Sequence, residues 1–230
     1  MKNRELIFED WNTLEYNKAY TKQLEYKNSI IELKKNLQST KNIIVFVEHP
    51  HVYTLGKHGK NVNLLISEKK LREINATFVH TDRGGDITYH GYGQIVIYPI
   101  IDLDNFNLHV KKFVYLLEES IIKTLREFNI ETTRLEKAPG VWIQKNNRPE
   151  KICAIGIKIE KNVSMHGLAL NVKTDLSYFN YINPCGYTDK GATSMEKETK
   201  KEISIDSVKK ILKEKFIYCF KNQEEILKEI

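Results

Sequence analysis

Residues 151–172 hold two apolar runs, Lys151-Ile-Cys-Ala-Ile-Gly-Ile-Lys-Ile-Glu160 and Ser164-Met-His-Gly-Leu-Ala-Leu-Asn-Val172. Only Lys161-Asn-Val163 separates them. Strand-forming runs joined by so short a polar segment read as a hairpin, and its apolar faces need cover. The rest of the chain supplies it. Asn42-Ile-Ile-Val-Phe-Val-Glu48, Thr77 to Thr81, Gln94 to Ile101 and Gly140 to Gln144 read as further strands. Residues 14–39 read as a helix through Tyr16, Tyr20, Leu24, Ile31 and Leu37. Residues 107–129 read as a cleaner one, with Val110, Phe113, Leu117, Ile121, Leu125 and Phe128 in one stripe. Ser204 is a fitting N-cap for a last helix, with Ile203 and Val208 spaced as a hydrophobic staple. Helices before, between and after runs of strands indicate an α+β or mixed α/β sheet with helices on one face. They do not alternate regularly with the strands, which argues against a doubly wound Rossmann sheet.

With 230 residues and 41% hydrophobic content, the chain is expected to form one domain and to bury roughly 70% of its unfolded surface. No run of 18 apolar residues occurs, so no membrane span is expected. The first residues alternate charged with apolar and lack the apolar core of a signal peptide. Three widely spaced cysteines make no disulfide framework, and a reducing cytoplasm is the expected compartment. The net charge of +6 suits a nucleic acid, a membrane surface or an acidic protein partner. Lysines alternate with glutamates on the helices and form no aromatic-interleaved basic stripe, so nucleic acid is the weakest of these.

Several site types are excluded. There is no GxxxxGK[ST], GxSxG, CxxC or HExxH, and Gly91-Tyr-Gly93 precedes a strand rather than a helix. No metal site is expected. Three segments concentrate reactive or permissive residues. Arg83-Gly84-Gly85-Asp86-Ile87-Thr88-Tyr89-His90 pairs glycines with long donors, which suits backbone approach to a ligand. Ala154, Gly156, Gly167 and Ala169 are small residues inside apolar strands. They leave room either for an acyl or alkyl chain or for tight packing of a neighbouring element. Cys185 sits in a turn, Asn183-Pro-Cys-Gly-Tyr187, whereas Cys153 and Cys219 lie in apolar strand and helix. A thiol on a rigid turn is how a nucleophile is presented, and a nearby cation would favour its thiolate.

The blocks Glu48-His-Pro-His-Val-Tyr-Thr-Leu-Gly56, Arg83 to Gly91, Ala138-Pro-Gly-Val141, Lys151-Ile-Cys-Ala-Ile-Gly156, His166-Gly-Leu-Ala-Leu-Asn171 and Asn183-Pro-Cys-Gly-Tyr187 occur in order. Together they resemble the lipoyl(octanoyl) transferases, octanoyl-acyl-carrier-protein:protein N-octanoyltransferases, over roughly residues 40–195. The resemblance implies an α+β fold like that of biotin and lipoate protein ligases: a mixed, largely antiparallel sheet flanked by helices. It implies a single catalytic domain over residues 1–230, with a C-terminal helix near 204–228. It implies that Cys185 accepts the acyl group, and that Lys151 lowers its pKa and shuttles protons. Arg83, Gly84, Gly85, Asp86, Ile87, Thr88, Tyr89, His90, Ala154, Ile155, Gly156, Gly167, Leu168 and Ala169 would form the acyl-substrate pocket. The implied donor is octanoyl-acyl carrier protein, an acidic partner that gives the basic charge a use. The implied acceptors are lipoyl domains of 2-oxoacid dehydrogenase acyltransferase subunits and the glycine-cleavage carrier protein. No cofactor is implied, because a thioester is already activated. A monomer is the simpler expectation. The competing readings are an ATP-dependent lipoate or biotin ligase on the same fold, which has no use for Cys185, and a cysteine hydrolase.

Overall fold

The computed structural model describes residues 2–145, 148–183 and 191–229. Strand β1 (Leu6–Thr13) leads into helix α1 (Tyr16–Lys35), then β2 (Asn42–Glu48) and β3 (Val52–Leu55). Helix α2 (Glu68–Glu73) precedes β4 (Thr77–His80), β5 (Ile87–His90) and β6 (Gln94–Ile100). Helices α3 (Leu103–Phe106) and α4 (Val110–Arg126) follow, then β7 (Thr133–Leu135), β8 (Ala138–Ile143), β9 (Glu150–Glu160) and β10 (Val163–Asn171). The chain closes with β11 (Gly191–Ala192), α5 (Met195–Thr199), α6 (Ile205–Lys221) and two short turns of helix.

Among the described residues the main sheet runs β1-β2-β6-β10-β9-β8-β7, and β11 adds to β9. Its ladders are antiparallel except at β1–β2 and β11–β9. A second, three-stranded sheet has the order β4-β3-β5. The expected mixed, largely antiparallel architecture with flanking helices is what forms.

The pleat divides the main sheet chemically. Ile44 and Phe46 of β2, Ile95 and Ile97 of β6, and Leu168 and Leu170 of β10 join Phe113, Leu117, Ile121 and Leu125 of α4 and Val208, Leu212 and Phe216 of α6 in one core. The alternate residues Ile43, Val45, Val96, Tyr98 and Ala169 meet Ala19, Ile30 and Ile31 of α1 on the other side, so helices cover both faces rather than the one expected, because these strands are apolar on both sides. The staple and cap expected at the last helix are present: Ile203 and Val208 are buried, and the Ser207 amide donates to the Ser204 hydroxyl.

The structure departs from these expectations at the N-terminus, along α1 and at the start of α4. The charged and apolar alternation at the N-terminus forms β1, an edge strand parallel to β2. Helix α1 ends at Lys35, and Leu37 lies beyond it at φ +56 and fully exposed. The inward face of α1 also holds Gln23 and Lys27. Gln23 accepts from the His166 amide at 2.8 Å, and Lys27 pairs with Glu160 at 2.7 Å. On α4, Val110 is exposed rather than part of the buried stripe.

The β9–β10 hairpin turns through Lys161 and Asn162, both at positive φ, so β10 begins at Val163. Two central residues at positive φ match the right-handed twist of the strands. The β6–β10 ladder starts only at Leu168↔Ile97. Pro99 has no amide to give to the ladder, and the chain lifts away at His166, which sits at φ +59.

Candidate active site

The side of the β9–β10 hairpin facing α1 carries the small residues. Gly156 pairs with Gly167, and Ala154 with Ala169. A Cβ on Gly156 would stand 2.8 Å from the Gly84 carbonyl oxygen, and one on Gly167 would stand 2.0 Å from the Ile97 oxygen. At these two positions the space is used by the chain's own backbone, the packing alternative of the two that sequence left open. The Gly84 amide in turn donates to the Ile157 oxygen at 3.0 Å. The Arg83–Gly84 strap therefore lies directly on β9 and joins the small sheet to the large one.

Arg83 is buried and serves as the pin of that junction. Its Nη2 donates to the Thr54 carbonyl at 2.6 Å, its Nε to Thr54 Oγ1 at 3.2 Å, and its Nη1 to the Gly84 oxygen at 3.0 Å. Gly85, at φ +85, lets the strap reverse beside Gly56, where a Cβ would meet the Gly85 oxygen at 2.4 Å. Asp86 accepts from the amide of Ile87 at 2.6 Å and from Asn63 Nδ2 at 2.6 Å. Asn63 then accepts, through its carbonyl oxygen, the Asn183 amide at 2.8 Å. Along β5 the pleat turns Ile87 and Tyr89 into the core of the small sheet, with Tyr53 and Leu55. Thr88 and His90 project from the opposite side of β5.

His90 starts a buried polar chain. Its Nδ1 donates to Gln94 Oε1 at 2.7 Å, and Gln94 Nε2 donates to Asn171 Oδ1 at 2.9 Å. Asn171 Nδ2 donates to the Thr193 oxygen at 3.0 Å, and the Thr193 amide donates to the Lys151 oxygen at 3.0 Å. Burial, reinforced by His49 nearby, pushes His90 down to about 3, and burial alone accounts for His49 at about 4. Both rings are thus neutral near pH 7. His166 is likewise held down to about 4 by burial, although Asp82 Oδ1 accepts from its Nε2 at 2.7 Å. Hydrogen bonds from Lys158 and His166 outweigh burial at Asp82 and bring its carboxyl to about 2.

Lys151 lies about six residues along β9 from the strap. It pairs with Trp142 on β8 and with Ala192 on β11, and its Nζ stands 4.5 Å from the centre of the Trp142 ring. Gly140 gives its stem passage: a Cβ there would lie 3.3 Å from Lys151 Cε and 2.6 Å from the Cys153 oxygen. Gly140 also takes φ +130, a conformation reserved for glycine.

Cys185 falls within 184–190, outside the described residues. Its described flanks are both anchored. Ile182 bridges to Leu64, and Asn183 is bonded to Asn63. On the other side Gly191 and Ala192 pair with Glu150 and Lys151. Cys153 and Cys219 are free, buried thiols, pushed up by burial.

The strap, the small-residue hairpin and the anchored lysine thus converge along β9 and β10. Gln94, Asn171 and Thr193, which link His90 to Lys151, were not among the expected site residues. Gln94 and Asn171 stand at the ends of apolar strands and Thr193 just beyond β11, so the signal in the sequence is a polar side chain bordering an apolar run.

This sheet and its helices define a fold of the lipoate and biotin protein ligase class. A bipartite lipoate protein ligase from Thermoplasma acidophilum superposes with a TM-score of 0.68 at 16% identity, over 92% of this chain and 82% of that one. A biotin protein ligase from Aquifex aeolicus does so with a TM-score of 0.52 at 14% identity, over 97% and 73%. Sequence narrows the class. Residues 19–217 match the model of the lipoyl protein ligase A/B catalytic domain. An octanoyltransferase from Bacteroides thetaiotaomicron is 49% identical over 207 residues, which span 90% of this chain and 91% of the relative. The chain belongs to the lipoyl protein ligase A/B catalytic domain family and is an acyltransferase.

Proposed function

We propose that this protein moves an octanoyl group from octanoyl-acyl carrier protein to a lysine of lipoyl domains, through a thioester on Cys185. The observation that most supports this reading is the pairing of Gly191 and Ala192 with Glu150 and Lys151. It ties the segment that follows Cys185 in sequence to the strand that carries the cation.

In the first step the Cys185 thiolate attacks the carbonyl carbon of the donor thioester. The bond from carbon to the carrier's sulfur breaks, and the carrier thiolate leaves and takes a proton from the Lys151 ammonium, which becomes a neutral amine. One thioester replaces another, so little free energy changes. The neutral ε-amine of the acceptor lysine then attacks the new thioester. The bond to Cys185 Sγ breaks, an amide forms, and the amine's proton passes to Lys151 or to the departing thiolate. Lys151 as an ammonium favours the thiolate before attack. Ile87, Tyr89 and Leu168 have buried side chains, so their part in the pocket is to shape its walls or to offer backbone groups. Arg83 holds the strap, while Gly84, Gly85 and Asp86 fix its path. Thr88, His90, Ala154 and Ala169 line the acyl path between the strap and Lys151, while Gly156 and Gly167 admit backbone beside it and Ile155, turned to the main core, offers backbone groups only. Backbone amides along this path are candidates to bind the oxyanion. The chain acts as one catalytic unit in the cytoplasm, without a cofactor. Among the described residues no helix is long and apolar enough to cross a membrane.

The reaction class is tested with purified octanoyl-acyl carrier protein and a lipoyl domain in the absence of ATP. Octanoylated lipoyl domain is the expected product. Transfer that instead requires free octanoate and ATP would mean that the protein is a ligase.

A further inference from the structure

Glu118 is a carboxylate in the core, 7% exposed, on the inward face of α4 among Leu117, Ile121 and Ile122. A buried acid in such a stripe needs partners. The Gly140 amide donates to its Oε1 at 3.0 Å, and Arg134 Nε donates to its Oε2 at 3.1 Å. Both oxygens accept, which fits the ionised form. Gly140 is the residue over which the Lys151 stem passes, with a Cβ position 3.3 Å from Lys151 Cε. Glu118 therefore holds one side of Gly140 while Lys151 crosses the other. No sequence motif assigned Glu118 a role, and neither acyl-transfer step uses it.

We propose that Glu118 is a positioning residue for Lys151: it fixes the Gly140 turn beneath the lysine stem and sets a carboxylate on the far side of that turn. The inference rests on the reading of Lys151 as the partner of Cys185. The charged groups among the described residues of the neighbouring elements are partnered as follows. Burial pushes Glu118 up, while Gly140, Arg134 and Lys151 pull it back. Glu119, beside it on α4, is turned to Arg134 and Lys123. Glu150, beside Lys151 in the chain, is turned to Lys145 and Lys197. Of these carboxylates, Glu118 is the one bonded to Gly140. The buried thiol of Cys153 is pushed up by burial and stays neutral.

The test reads Lys151 directly. Full-length protein carrying Cys185→Ser, which removes the thiolate from the titration, is labelled with trace acetic anhydride across a pH series. The peptide that contains Lys151 is then quantified by mass spectrometry. Glu118→Gln keeps an oxygen for the Gly140 amide and removes the charge. It should lower the titration midpoint of Lys151 by about one pH unit. Arg134→Gln leaves the Glu118 charge uncompensated and should raise that midpoint. Lys57, which is exposed, serves as the internal standard and should not move. Unchanged midpoints in both variants overturn the proposal. If Glu118→Gln does not fold, Arg134→Gln decides alone: an upward shift supports the coupling and no shift overturns it. The catalytic reading fails separately. Normal octanoyl transfer by Lys151→Ala would remove Lys151 from the reaction whatever its midpoint does.

Discussion

The two faces of the β9–β10 hairpin show how one pair of strands separates stability from chemistry. Toward α4 and α6 it presents Cys153, Leu168 and Leu170, fully enclosed in the main core. Toward α1 and the Arg83 strap it presents Ala154, Ala169, Gly156 and Gly167, where side chains have been cut back to let backbone approach. The first face gains by filling space, so its side chains are large and apolar. The second gains by leaving it, and the strap, the polar chain from His90 and the Lys151 stem occupy what is left. Alternation with period two lets both demands be met by the same residues in sequence.

This contrast is most sharply broken by Lys151→Ala. A residue of the chemical face should slow octanoyl transfer by about 10²- to 10⁴-fold when removed and leave the melting temperature close to that of the parent. A large drop in melting temperature would make Lys151 a structural residue instead. Leu170→Ala should do the reverse. Loss of a buried leucine costs about 2–5 kcal/mol, readable as a lower urea midpoint, while transfer per folded molecule stays near the parent rate. Equal damage to both would mean that the two faces are not separable.

A separate effect concerns pH. His49, His90 and His166 are held at about 4, 3 and 4, below their ordinary 6.5. The unfolded chain thus binds protons that the folded one refuses as pH falls below 6.5. The stability of the neutral, buried rings is whole above that value and declines toward pH 4. Each ring removes about 1.4 kcal/mol per pH unit. Urea unfolding at pH 7 and pH 5 checks this, and His90→Gln should make the decline shallower. A decline as steep as the parent's would mean that His90 does not titrate as described.

What the sequence reveals by itself follows the same division. The apolar runs at 42–48, 94–101 and 151–160 and the helical stripe over 107–129 are strong patterns, and Asn42–Glu48, Gln94–Ile100, Glu150–Glu160 and Val110–Arg126 form there, the helix shorter at both ends. Val52–Leu55 and Leu6–Thr13 escaped because a four-residue strand and an edge strand with mixed charges carry little pattern. Gln23 and Lys27 on α1 are buried for reasons found on other strands, at the His166 amide and Glu160. Glu118 belongs to no sequence motif, and its partner Gly140 lies 22 residues away. The small strand residues were visible at once, but periodicity does not tell whether a ligand or a backbone fills the gap. Cys185 stood out by its place in a turn, whereas Lys151 stood out only through family resemblance, since a lysine after a polar turn is an ordinary residue.

Whether Cys185 carries the octanoyl group as a thioester can be read by intact-mass spectrometry after mixing the protein with octanoyl-acyl carrier protein. A single added octanoyl group is expected in the parent and in Cys153→Ser, and none in Cys185→Ser. Transfer to lipoyl domain by Cys185→Ser at the parent rate would contradict a thioester at that residue.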